Sequence, residues 1–179
     1  MKRLLTLTVC VLLMIASPAQ AEGTSIGVVD VIYIMSNAKA ANHVEEQRNS
    51  LREKFLAEIA EAEKKLRDQE KSLIEERGKV SKEEYIEKRK AYEEQLLKTR
   101  RYAQTKKRAI EAAANTAMNQ VRAKLYEVVE QISKERQYDL VISNKNVISG
   151  AKSLDITAEA LERIDASIAK IPLKVEAGE

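Results

Sequence analysis

Arg77-Gly78-Lys79-Val80-Ser81-Lys82-Glu83-Glu84 interrupts a long stretch of helix-forming sequence, and its reading decides the fold. Gly78 adopts the left-handed backbone that closes a helix. Ser81 followed three residues on by Glu84 is the S-x-x-E signature of a new helix start. The interruption is therefore a reversal between two long helices, an antiparallel hairpin with its tip at residues 78–81.

Outward from that tip, the sequence from Asn42 to Arg136 has no proline and one glycine, and is dominated by Ala, Glu, Lys, Arg, Gln and Leu, a helical composition. Asn42 with Glu45 repeats the capping spacing and predicts where the descending helix starts. At ~1.5 Å per residue, His43 to Arg77 spans roughly 50 Å, and the return from Lys82 to Arg136 is longer. Apolar positions on the first helix (Leu51, Phe55, Ile59, Ala62, Leu66, Leu73) step by threes and fours, with Gln69 in the series. The period is about 3.67 per turn and predicts a nearly straight or slightly right-handed winding. Tyr85, Tyr92, Leu96, Thr99, Ala103, Lys106, Ile110 and Ala113 continue the seam on the second helix. Phe55, Tyr85 and Tyr92 are candidates for seam packing or for apolar contacts with a partner. The polar members predict a thin, flexible seam.

Only the ends differ in character. Ser25 to Val31, Tyr138 to Ser143 and Asn146 to Ser149 are short β-branched runs that predict three strands, with Val28 and Val29, Leu140, Val141 and Ile142, and Ile148 as the strand residues of the body. Thr157 is the predicted N-cap of a last helix that carries Leu161, Ile164 and Ile168 on one face and stops before Pro172. The predicted division is residues 22–41 with 126–179 as a β-rich oligomerisation body, to which Ile156 also belongs, and 42–125 as a helical arm. The fold class is mainly α with a small β body. A core this small, without disulfides, predicts association of copies through the body.

Residues 1–21 read as a secretory signal peptide. Met1-Lys2-Arg3 gives a positive start, Leu4 to Ala16 an apolar run, and Ala19-Gln20-Ala21 a cleavage motif that predicts processing after Ala21. The apolar run is too short for a bilayer span, and Val9 is too bulky to precede a lipidated Cys10. The chain from Glu22 contains no cysteine. Removing Lys2 and Arg3 lowers the formal net charge of +3 by two, leaving both signs nearly balanced. That balance disfavours nucleic acid as a partner.

Charge is nevertheless uneven. Glu45 to Arg77 holds ten acidic and eight basic residues, whereas Lys79 to Glu111 holds eleven basic and six acidic. Lys98, Arg100, Arg101, Lys106, Lys107 and Arg108 form a run without an acid, with Tyr102 in its middle. One reading is a face for acidic clients, anionic lipid or lipopolysaccharide. The other is a solvated face paired with acids of the descending helix. No catalytic residues or cofactor are expected: His43 is the single histidine, it lies at a helix start, and no nucleotide-binding or metal-ligand spacing occurs.

The order Ser-Ile-Gly-Val-Val-Asp-Val (25–31), charged hairpin, Asp139-Leu140-Val141-Ile142 and Asp155-Ile156-Thr157 resembles the Skp/OmpH family of periplasmic chaperones over the whole chain from Glu22. The resemblance implies a homotrimer in which the chain ends build a small β-rich body and three helical tentacles enclose a cavity. It implies an ATP-independent holdase for unfolded outer-membrane β-barrel proteins. Affinity for lipopolysaccharide or anionic lipid is a further implied property.

Overall fold

The computed structural model describes residues 23–175, so the expected signal peptide and its cleavage point lie outside the described residues. The elements in order are β1 (Ile26–Val29), α1 (Val31–Asn37), α2 (Lys39–Glu76), α3 (Lys82–Arg136), β2 (Leu140–Ser143), 3-10 turns at Asn144–Asn146 and Lys152–Leu154, and α4 (Thr157–Ser167). Helices α2 and α3 are the two limbs of the hairpin. Gly78 takes φ +81° at its tip, and the Ser81 side chain accepts from the Glu84 amide at 3.2 Å. The Glu84 carboxylate does not return to the Ser81 amide. It pairs with Lys88 at 3.0 Å, and Lys88 also reaches Glu76 across the tip at 2.7 Å.

The chain ends meet as expected. β1 and β2 pair in parallel, with Ile26 opposite Leu140 and Val29 opposite Ser143. A parallel pair requires a crossover connection, and here the crossover is the hairpin itself. Asp139 locks the start of the pair, its carboxylate accepting from the Ser25 amide at 2.7 Å. On the other side of β1 the Ile156 amide donates to the Val28 carbonyl at 2.9 Å, so β1 is flanked on both sides and β2 is the outer strand.

Beneath the sheet, Ala117, Val121, Leu125, Val128 and Ile132 of α3 meet Ile34, Ala40, Ala41 and Val44 from the front of the chain, and Ile156, Ala160 and Ile164 from the back. Each fully buried large aliphatic side chain here contributes about 2 kcal/mol. This core crosses the boundary expected at 125/126, because the foot of each hairpin helix is wrapped by α1, α4 and the segment that follows it. The buried cluster thus takes in Val44 and α3 from Ala117 onward.

Three further expectations are corrected. Helix α2 starts at Lys39 rather than at Asn42. Its cap residue, the buried Ala38, makes no side-chain cap bond, and the Lys39 amide is instead satisfied at 2.8 Å by the carboxylate of Asp165 on α4. Asn146 to Ser149 is not a strand: the Val147 amide closes a turn onto Asn144, the free edge of β1 is taken by the Asp155–Ile156 segment, and Ile148 is fully exposed. Thr157 is the first helical residue of α4 rather than its cap. Its amide donates to the Asp155 carboxylate at 2.8 Å, while its hydroxyl accepts from the Asp30 amide at 2.9 Å.

A four-charge network holds α4 to the end of α3. Arg163 makes a two-pronged contact with Glu135 at 2.9 and 2.6 Å and a third bond to Glu159 at 2.6 Å, and Arg136 also bonds Glu159. The Arg163 guanidinium pulls the Glu135 carboxyl below its ordinary value, and Arg163 is itself raised by Glu135.

Candidate functional site

The candidate site is the two-helix arm beyond the body. Its seam follows the sequence period: Phe55, Leu66, Thr99 and Ile110 are buried, and Leu51, Ile59, Leu73, Tyr85, Tyr92, Leu96 and Ala103 are half-buried between the helices. Phe55, Tyr85 and Tyr92 therefore belong to the seam rather than to an open contact surface. Lys106 is half-buried at the seam, a position from which a lysine can cover apolar surface with its aliphatic stem while keeping its ammonium in water. Around Gln69 and Gln95 the seam opens, and these two side chains border gaps of about 320 and 380 Å³. Gln69 itself is exposed.

Four residues missed in the sequence reading stand next to that seam. Leu56, Ile74, Ile86 and Leu97 are each more than half exposed, and each immediately follows a seam residue: Phe55, Leu73, Tyr85 and Leu96. One residue's advance turns a helix by about 100°, so the second member of each doublet looks outward along the flank of the arm. The signal available in the sequence was the doublet itself, an apolar residue one step beyond the period.

The basic run lies on the same arm. Lys98, Arg100, Arg101, Lys107 and Arg108 are exposed. Among the described residues none of these five, nor Lys106, has a carboxylate within salt-bridge distance. Three acids of α2 at that level are engaged elsewhere. Glu61 pairs with Lys65 and Glu63 with Arg67 on their own helix, and Glu58 accepts from the Tyr102 hydroxyl at 2.8 Å. That hydrogen bond, with the Glu58 charge and local desolvation, raises the Tyr102 hydroxyl above its ordinary value. The cations are thus free toward solvent, and the reading in which α2 neutralises them is not the arrangement found.

The body residues expected from the sequence divide by exposure. Val28, Val29 and Ile156 are buried, Val141 and Ile142 half-buried, and Leu140 and Ile148 exposed. Ile32, Tyr33 and Tyr126 are also open on the protomer surface. No described helix is long and apolar enough to cross a membrane.

A long helical hairpin with unpaired cations and apolar flanks, set on a body sewn from both chain ends, defines a class of proteins built as an arm on a small base. The family described as outer membrane protein (OmpH-like) matches residues 25–164, and the chain belongs to that family. A search of curated proteins finds no match. Among solved structures, a Caulobacter crescentus protein described as an OmpH-like outer membrane chaperone shares the fold, with a TM-score of 0.81 at 14% identity over 88% of this chain and 93% of that one.

Proposed function

We propose that the protein is a nucleotide-independent holdase of the periplasm that shelters unfolded outer-membrane β-barrel proteins between its arms. The observation that supports this most directly is the pairing of exposed apolar doublet residues with unneutralised cations along one thin arm. An unfolded barrel protein presents alternating apolar side chains and unpaired strand backbone. Scattered Leu and Ile contacts on a yielding seam hold such a chain without demanding a sequence, and several arms acting together multiply contacts that are individually weak. Family membership and the chaperone description of the Caulobacter relative agree with this reading.

Three arms around one cavity require self-association, which we assign to the body. The unpaired outer edge of β2, with Leu140 and Ile148 exposed beside it, offers main-chain and apolar contacts to another copy. Sedimentation of the purified protein at micromolar concentration is expected to give a trimer, and a Leu140→Glu variant to shift it toward monomer.

The holdase reading is tested by light scattering as a urea-unfolded outer-membrane β-barrel protein is diluted into buffer without nucleotide. Suppression at about three protomers per client supports it. Equal aggregation in the presence of the folded protein would instead favour a structural spacer of the cell envelope. The free cations also favour a second reading, affinity for lipopolysaccharide or anionic lipid. Co-sedimentation with vesicles containing phosphatidylglycerol, lost on adding salt and absent with neutral vesicles, is its test.

A further inference from the structure

A groove of about 780 Å³ lies at the foot of the arm. Thr105, Arg108, Ala112 and Thr116 of α3 form one wall, and Pro172 and Lys174 of the segment after α4 form the other. The second wall is built like a strand. From Ile171 to Val175 exposure alternates, with Ile171 buried, Leu173 and Val175 half-buried, and Pro172 and Lys174 exposed, the period of two that marks an extended backbone. One edge of this segment is already paired. Gln47 donates from its side-chain amide to the Ile171 carbonyl at 2.7 Å and accepts from the Leu173 amide at 3.0 Å, so a single glutamine supplies the donor and acceptor that a neighbouring strand would present. In an extended chain alternate residues direct their backbone groups to opposite edges. The Pro172 carbonyl and the Lys174 amide therefore face away from Gln47, and these two residues are the ones that line the groove. Among the described residues neither group has a hydrogen-bond partner.

We propose that the groove takes an extended polypeptide segment carrying an acidic side chain, which adds to the free edge of residues 172–174 and lies along α3. Main-chain pairing at an exposed edge supplies affinity without a sequence requirement. Charge is complementary: Arg108 and Lys174 are the charged lining residues, both are cations, and neither has a carboxylate within salt-bridge distance among the described residues. The alanines of the α3 wall leave a backbone room to approach. At ~1.5 Å per helical residue the wall from Thr105 to Gln120 runs roughly 22 Å, which an extended chain covers in about seven residues.

The biological occupant, a segment of an unfolded client, rests on the holdase reading. Such a chain carries strand-forming backbone that has no partner. The groove gives it one directional contact, read from the main chain, beside the non-directional apolar contacts of the arm's flank.

The test is fluorescence anisotropy of the full-length protein with a labelled heptapeptide that alternates valine and threonine around a central glutamate. The expected result is saturable binding, weakened at least tenfold when every peptide amide is N-methylated, which keeps the charge and removes strand pairing. Arg108→Gln combined with Lys174→Gln should weaken it about fivefold. Ala112→Phe, at an exposed position in the groove, should abolish it with an unchanged thermal midpoint. Equal binding of the N-methylated peptide would overturn the proposal, because charge or apolar contact alone would then account for capture. Binding that survives Ala112→Phe would place the peptide elsewhere and overturn it as well. No aggregating client enters this readout: absence of peptide binding alongside intact suppression of client aggregation would remove the groove and leave the holdase reading standing.

Discussion

The Tyr102 hydroxyl donates to the Glu58 carboxylate at 2.8 Å, joining two residues 44 positions apart across the arm. In a seam of small and half-buried side chains, this directional bond fixes how far α3 has slid along α2. Tyr102→Phe is expected to weaken the arm locally by about 1 kcal/mol, read as faster amide exchange around residues 98–106, with the melting of the body unchanged. Because Glu58 raises the Tyr102 hydroxyl above 10.0, the bond's contribution is fully present below that pH and is lost as pH rises through the higher folded value. A Tyr102→Phe variant that melts several degrees lower as a whole would show that arm and body are one cooperative unit.

Replacing Leu56, Ile74, Ile86 and Leu97 together by serine tests the apolar flank. All four are exposed, so the thermal midpoint is expected to stay within a degree or two of the parent, while the concentration needed to suppress client aggregation rises severalfold. Phe55→Ala should do the reverse, since it opens a cavity in the seam at a cost of about 3 kcal/mol. Unchanged suppression by the fourfold variant would remove these side chains from the binding surface.

Gly78 has open space around the position a Cβ would occupy, and its φ is +81°. The cost of Gly78→Ala is therefore backbone strain alone, about 1 kcal/mol, and Gly78→Asn should restore part of it. Amide exchange near the tip reports both. At Gly27 the situation is opposite: an added Cβ would lie 3.2 Å from the Tyr138 ring, so Gly27→Ala is expected to disturb the sheet and lower the body's midpoint.

Acid should loosen both ends of the arm. Glu135 is held below the ordinary carboxylate value by its hydrogen bond to Arg163, and Glu76 by its hydrogen bonds to Lys88 and Ser72. With folded values below the ordinary 4.5, their stabilising contribution is complete above about pH 5 and fades as pH falls through the lower folded values. A midpoint that is flat from pH 7 to 5 and declines below pH 4.5 is expected. Glu135→Gln should flatten part of that decline, and an unaltered acid limb in this variant would point to other carboxylates.

What the sequence displayed well was everything governed by neighbours along the chain. Gly78 and Ser81 act within their own turn, and the seam from Phe55 to Leu66 and from Tyr85 to Ile110 obeys a period that any residue's position reveals. The misreadings fall where distant residues decide. Asn42 carries a proper local cap signal, yet the α2 amide is served by Asp165 on a helix more than a hundred residues away. Asn146 to Ser149 has strand composition, but the edge it would have joined belongs to Asp155 and Ile156. The flank of Leu56, Ile74, Ile86 and Leu97 was missed for a different reason, because a search for one stripe discards the residue beside it.

β1 and β2 begin one residue past Ser25 and Asp139, which are 114 residues apart in the chain. Closing so long a loop by random search is entropically costly and slow. The hairpin removes most of that search: once the tip turn forms and the seam zips downward, the two termini are delivered side by side with only the last turns left to settle. On that route assembly runs from the far end inward, with the sheet as the final step. A nascent chain emerging from its start cannot finish the body until residues beyond Ser143 have arrived, so the arm takes shape before there is a base for it to stand on.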